Sequence, residues 1–146
     1  MDPDAYDRYM GRYSLLLAPQ LADLAAVSAG QRVLDVGCGP GALTAELVKR
    51  LGAPAVSAVD PSEPFVSAAE ERHPGVDVRR AAAEQLPFQD AEFDATLAQL
   101  VVHLMEKPTV GVALPLPEAM SPDSILHDKP SCGNAVARNS PQRHSC

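Results

Sequence analysis

Three glycines spaced two apart, Gly37, Gly39 and Gly41, follow an apolar run that carries one acid, Val33-Leu34-Asp35-Val36. Residue types in this pattern suit ligand binding more than bond-making. Glycine reaches left-handed backbone angles and leaves room for a ligand against the main chain. The run Gly41-Ala42-Leu43-Thr44-Ala45-Glu46-Leu47-Val48 reads as a helix, so its free N–H groups and positive dipole end point into the glycine turn. Such a corner binds the polar part of a nucleotide-like cofactor. Asp35 is costly in a buried strand unless a cation or a hydrogen-bond donor meets it. A carboxylate there sits badly beside a pyrophosphate and well beside a cofactor that carries positive charge.

The elements that must hold these residues follow from periodicity. Val33, Leu34 and Val36 suit a central parallel strand covered on both faces. The helix after the glycines carries Leu43, Leu47, Val48 and Leu51 on one face and ends at Gly52. A second strand is predicted over 55–59, ending at Asp60-Pro61-Ser62, with Ser62 as N-cap of a helix that turns Phe65, Val66 and Ala69 inward. His73-Pro74-Gly75 stops that helix. Residues 76–80 alternate as a third strand near a sheet edge, 82–88 form a loop, 93–98 a fourth strand, and Leu100 to Met105 begins another helix. Ahead of all this, 5–27 is predicted as two short helices weakened at Gly11 and Pro19, forming a lid that could bring Tyr6, Tyr9 or Arg12 over a ligand. Strands alternating with helices through short loops define an α/β, Rossmann-like, open, mostly parallel sheet with helices on both faces. Right-handed crossovers bring the glycine turn, Asp60 and the loop after Arg80 to one edge of it, outside the carboxyl ends of the strands.

The chain of 146 residues is long enough for one domain. It divides into a helical lid over 1–29, the α/β unit over 30–106 and a proline-rich tail over 107–146, expected to be irregular or disordered. The net charge of −7 argues against nucleic acid and against anionic membrane as partners. Cys38, Cys132 and Cys146 have no metal-ligand spacing and suggest no disulfide framework; Cys38 reads as a free thiol. A basic-then-apolar leader and an apolar run of about 20 residues are both lacking, so a cytoplasmic location is expected.

Two cofactors compete for the glycine turn. Gly37-Cys38-Gly39-Pro40-Gly41-Ala42 satisfies the dinucleotide pattern G-x-G-x-x-G/A, with Asp60 free to hold an adenosine ribose, which would make an NAD(P)-binding protein. More of the chain supports the other. Val33-Leu34-Asp35-Val36-Gly37-Cys38-Gly39-Pro40-Gly41 resembles the first motif of class I S-adenosylmethionine-dependent methyltransferases, and Asp60 their second-strand acid. Ala83-Glu84-Gln85-Leu86-Pro87-Phe88, Asp90, Phe93-Asp94 and Val102-His103 resemble the corresponding segment of the methyltransferase type 11 group. The opening Tyr6-Asp7-Arg8-Tyr9-Met10-Gly11-Arg12-Tyr13-Ser14 is similar to the entry helices of such enzymes.

The resemblance implies S-adenosylmethionine as cofactor. It places Asp35 near the methionine amino group, Gly37 and Gly39 where the backbone approaches the cofactor, and Cys38 and Gly41 in the same loop. It gives Asp60 the ribose hydroxyls and sets Pro61 near the adenine. Ala82 stands where many relatives have an Asp for the adenine amino group, which leaves the main chain of Ala83 and Glu84. Gln99 would lie near the transferable methyl. His103 is the catalytic candidate, facing the acceptor pocket, or else a helix-start histidine with a structural hydrogen bond. The implied reaction is in-line methyl transfer, which depends on holding the reactants in line and excluding water. No Asn-Pro-Pro-Tyr-like signal follows Ala98, which favours a small-molecule acceptor over nucleic acid. After residue 106 the family pattern stops, without its fifth strand and terminal hairpin. The chain therefore reads as truncated by a frameshifted tail, or as a short form completed by a partner or a second copy. Either case would leave the fourth strand as an open edge and could leave a cofactor-binding fragment without turnover.

Overall fold

The computed structural model describes residues 2–89 and 92–100, and the backbone of 126–128 and 134–138. Its centre is β1 (Val33–Val36), four residues that are all buried. β1 pairs in parallel with β2 (Val56–Asp60) on one side and with β4 (Ala95–Ala98) on the other, and β3 (Asp77–Arg80) extends the sheet beyond β2. β3 lies at the edge, as its sequence predicts, with Val78 buried and Asp77, Arg79 and Arg80 exposed. The register sets Val36 beside Val59, and Asp35 beside both Ala58 and Leu97.

Three helices pack on one face of this sheet. α2 (Arg12–Leu24) and α3 (Ala42–Leu51) enclose Ala18, Leu21, Leu43 and Leu47 against Val33, Val56 and Leu97. α4 (Glu63–Arg72) sets Val66 and Ala69 against Ala58 and Val78. The opposite face, with Leu34, Val36, Val59 and Ala98, is covered by the segment between β3 and β4 through Ala83, Leu86, Phe88 and Phe93. Phe88 and Phe93 meet edge to face at 5.0 Å between centroids. Each fully buried Leu or Val stabilises the fold by roughly 1.5–3 kcal/mol, which explains why the strands read so clearly from their apolar runs.

The N-terminal helices do not break where the sequence suggests. α1 (Pro3–Tyr6), a π-helical turn (Asp7–Gly11) and α2 follow without interruption, and Pro19 lies inside α2. Proline removes one helix donor and strains the turn before it. Around it, Gln20 Nε2 donates to the Leu16 oxygen at 3.0 Å and Arg50 Nη2 to the Pro19 oxygen at 3.2 Å. Burial of Ala18, Leu21 and Ala22 holds the helix through the proline.

A second correction concerns the tail. Residues 134–138 form β6, antiparallel to β4, with Thr96 opposite Ala137, and residues 126–128 form β5 on β6. The strand order among the described residues is β3-β2-β1-β4-β6-β5, so β4 is not an open edge. Asn134-Ala-Val-Ala-Arg138 is short, and its pairing with a strand about 40 residues earlier leaves no local mark in the sequence. The expected helix beyond Leu100, the weak strand expectation at 110–114, Asp90 and His103 lie outside the described residues.

Candidate functional site

The carboxyl ends of β1 and β2 open into a cleft of about 460 Å³, lined by Tyr6, Met10, Val36, Gly37, Gly39, Asp60, Pro61, Ser62, Phe65, Ala82, Ala83, Glu84 and Leu100. That volume lies within the range of small-molecule sites. The turn that forms its floor is fixed by main-chain bonds: the N–H groups of Gly37 and Cys38 both donate to the Val59 carbonyl, at 2.8 and 3.0 Å. Gly37 (φ 70°) and Gly39 (φ 54°) are left-handed, a conformation that costs other residues roughly 1–2 kcal/mol. A Cβ on Gly39 would find open cleft, with only the Tyr6 ring as near as 4.0 Å.

Asp60 ties the turn to the second strand. Its Oδ2 accepts from the Gly39 N–H at 2.9 Å and its Oδ1 from the Ser62 N–H at 2.8 Å. The N-cap bond expected of the Ser62 hydroxyl is not formed, and Asp60 meets the main-chain N–H of Ser62. Burial raises the Asp60 pKa above the usual carboxylate value and the two N–H donors oppose that shift. Each carboxylate oxygen keeps further lone-pair capacity, and the residue lines the cleft.

Asp35 is 1% exposed. Its Oδ2 accepts from the Thr44 hydroxyl at 2.7 Å, whereas Oδ1 has no partner. Burial pushes its pKa up to about 7, with the nearby Asp60 charge adding to the rise and Thr44 opposing it. A buried carboxylate with an unmet oxygen favours a cationic or N–H-bearing ligand. Asp35 lies beside the main cleft, in a small cavity of about 20 Å³ that it lines with Tyr6, Ser14, Gly37, Cys38, Pro40, Ala42, Leu43 and Gln99. Gln99 is also buried; its Nε2 donates to the Ser14 carbonyl at 2.9 Å and its Oε1 has no partner.

The predicted residues therefore sort by place. Gly37, Gly39, Asp60, Pro61, Ala83 and Glu84 line the cleft, Ala82 with them, and Asp35, Cys38 and Gln99 line the adjoining cavity. Cys38 is buried, and burial raises its thiol pKa, so it is not a nucleophile here. Gly41 lines neither space. Its φ is 101°, and a Cβ there would lie 2.6 Å from His73 Nε2, which bonds the Gly41 carbonyl; its role is close packing. Of the lid residues, Tyr6 roofs the cleft and meets Phe65 edge to face at 5.4 Å. Tyr9 is 76% exposed, and Arg12 is exposed and bonds the Tyr13 hydroxyl, so neither lines it. Met10, Phe65 and Thr44 escaped the sequence reading. Thr44, a hydroxyl on the inward face of an apolar helix nine residues after Asp35, was the one with a detectable signal.

The residues fit S-adenosylmethionine better than a dinucleotide. An unmet carboxylate oxygen beside the turn suits an ammonium and repels a pyrophosphate, and the left-handed glycines leave the main chain open to a ligand. A Rossmann-like sheet with an acid closing its second strand and a glycine turn after its first defines the class of small-molecule-binding α/β folds. Within that class, the family profile described as "Methyltransferase domain" matches residues 33–115, more than half of the chain, and the chain belongs to that family. It is 39% identical over 70 residues to a probable phthiotriol/phenolphthiotriol dimycocerosates methyltransferase 2 of Mycobacterium ulcerans, covering 47% of this chain and 27% of that protein. It is 46% identical over 77 residues to the ubiquinone biosynthesis O-methyltransferase of Agrobacterium fabrum, covering 50% and 30%. A solved S-adenosylmethionine-dependent methyltransferase of Thermotoga maritima superposes with a TM-score of 0.61 at 25% identity, covering 77% of this chain and 52% of that one. The chain thus spans about a quarter to a third of the length of these curated relatives. No helix among the described residues is long and apolar enough to cross a membrane.

Proposed function

We propose that this chain binds S-adenosylmethionine in the cleft at the carboxyl ends of β1 and β2 and directs its methyl group to a small-molecule acceptor. One observation carries the reading: a fully buried carboxylate, Asp35, keeps an unpartnered oxygen beside a left-handed glycine turn whose geometry Asp60 fixes. When bound, S-adenosylmethionine supplies a methyl group already activated on a sulfonium sulfur. Asp35 would meet the methionine ammonium, and Asp60 would accept the ribose hydroxyls. Gly37 and Gly39 would admit the cofactor against the backbone, beside Cys38. Pro61 and the main chain of Ala83 and Glu84 would frame the adenine. Tyr6, Met10 and Phe65 would exclude water from above. The relatives' names differ, phthiotriol/phenolphthiotriol dimycocerosates in one and ubiquinone biosynthesis in another, so the acceptor is assigned only as a small molecule.

Isothermal calorimetry with S-adenosylhomocysteine and with NAD tests the reading. Binding of the first and not the second is expected. Gly39→Val should abolish that binding by filling the cleft. NAD binding without S-adenosylhomocysteine binding would overturn the assignment. Binding without turnover on any extract of small-molecule acceptors would reduce the chain to a cofactor-binding fragment.

A further inference from the structure

The large hydrophobic side chains that stand exposed among the described residues are Tyr9, Tyr13, Leu15, Leu16 and Leu24, and all of them belong to the N-terminal helices. Tyr9, Tyr13, Leu16, Gln20 and Leu24 recur every three or four residues and so form one stripe along the outside of the helix. The inner face carries Ala18, Leu21 and Ala22 into the core, and Tyr6 and Met10 line the cleft. The stripe is therefore the back of the roof. Contiguous exposed apolar surface of this kind marks an interaction site.

Charge decides what fits it. Arg12 and Asp23 lie about three helical turns apart, on the same flank of the stripe. The Arg12 guanidinium lies over the Tyr13 ring at 4.8 Å and donates to its hydroxyl, and none of the ion pairs among the described residues includes it. Asp23 gives one oxygen to Arg50 at 2.7 Å, and its side chain is still 72% exposed. One flank thus carries an unpaired cation toward its N-terminal end and an exposed carboxylate toward its C-terminal end. A two-fold axis between two such helices, perpendicular to both, reverses the partner end for end and sets each flank against its own copy. The middle of one stripe, at Leu16 and Gln20, then meets the middle of the other, and Arg12 meets the partner's Asp23.

We propose that this chain forms a two-fold dimer through the outer stripe of the π-helical turn and α2, with the two helices antiparallel and Arg12 of each copy paired to Asp23 of the other. The same patch is used on both copies, so association stops at two chains. Tyrosine and arginine are enriched in such interfaces. The net charge of −7 on each chain opposes close approach, and placing a cation against an acid twice lowers that repulsion. An anionic lipid surface meets the same net charge and gains no such pair.

Sedimentation equilibrium of the whole chain at micromolar concentrations tests the inference, and a mass of two chains is expected. Leu16→Glu sets two carboxylates near the two-fold axis and should raise the dimer dissociation constant about tenfold or more, with circular dichroism unchanged. The charges provide a test that does not depend on the folding of that variant. Arg12→Asp sets acid against acid and Asp23→Arg sets base against base, so each alone should weaken the dimer and the two together in one chain should restore it. The two positions are about 16 Å apart along one helix, so rescue can come only from contact between chains. A single-chain mass for the unmodified protein, a Leu16→Glu variant that still dimerises, or a double variant no tighter than the single ones would each overturn the inference. Binding to phosphatidylcholine vesicles by a protein that stays a single chain would assign the stripe to a lipid surface instead.

Discussion

Asp35 shows how a single side chain can be set against the fold that holds it. Its folded pKa of about 7 lies above the ordinary value of 3.8, chiefly because burial penalises the charge. A raised carboxylate pKa means that the folded state holds the proton more tightly than the unfolded chain does. The contribution of Asp35 is therefore most favourable below pH 4 and is lost as pH rises through 7. Asp35→Asn removes the titration. In denaturant unfolding, the stability of the variant relative to the parent should be near zero at pH 4 and grow to an advantage on the order of 4 kcal/mol above pH 8. A difference that does not vary with pH would contradict the assignment. The same variant should lose S-adenosylhomocysteine binding, because the stability forgone by the parent is what the ligand's ammonium recovers. Gly41 illustrates the opposite constraint. Gly41→Ala meets both a left-handed φ and the His73 ring, and should cost about 1–3 kcal/mol. Adding His73→Ala should relieve the clash and leave the backbone strain, which a double-mutant cycle in thermal unfolding would resolve.

At the scale of elements, the N-terminal helices are held over the site by a few polar ties. Arg72, the last residue of α4, pairs with Asp7 at 2.8 Å and with Asp4 at 4.0 Å, and donates to the Pro40 carbonyl at 3.3 Å. It therefore joins the roof to the glycine turn. A half-exposed pair of this kind contributes less than about 1 kcal/mol to global stability, yet α1 and the π-helical turn contribute only Gly11 to the buried core. Arg72→Ala should leave the melting temperature within a few degrees and raise amide exchange over residues 3–11 several-fold. An unchanged exchange pattern would show that Tyr6 against Phe65 is sufficient to seat the roof.

At the scale of the whole molecule, the antiparallel pairing of β6 on β4 closes an edge that the parallel strands alone would expose. A chain ending at residue 125 should fold its β3-β2-β1-β4 core and then self-associate with rising concentration, measured by sedimentation velocity. A monodisperse monomer would show that the edge is covered in another way. The centre of the parallel core was legible because β1 and β2 are short, mostly apolar runs bounded by glycine or proline signals. The pairing of β6 was not, because a five-residue strand gains its stability from a partner far away in sequence.

The sequence by itself determined the order of strands and helices from β1 to β4, the glycine turn, and the identities of Asp35 and Asp60, since local backbone freedom and hydrophobic periodicity are properties of contiguous residues. It also carried the family, through motifs in the right order. Only the tertiary structure decided which groups share a space. It took the Asp60 carboxylate to the Gly39 and Ser62 N–H groups, excluded Tyr9 and Arg12 from the cleft, turned Gly41 toward His73, and brought Gln99 between Ser14 and the Asp35 cavity. Hydrogen bonds across 85 residues depend on how the sheet and its roof pack, and no spacing along the chain encodes which buried oxygen is left without a partner.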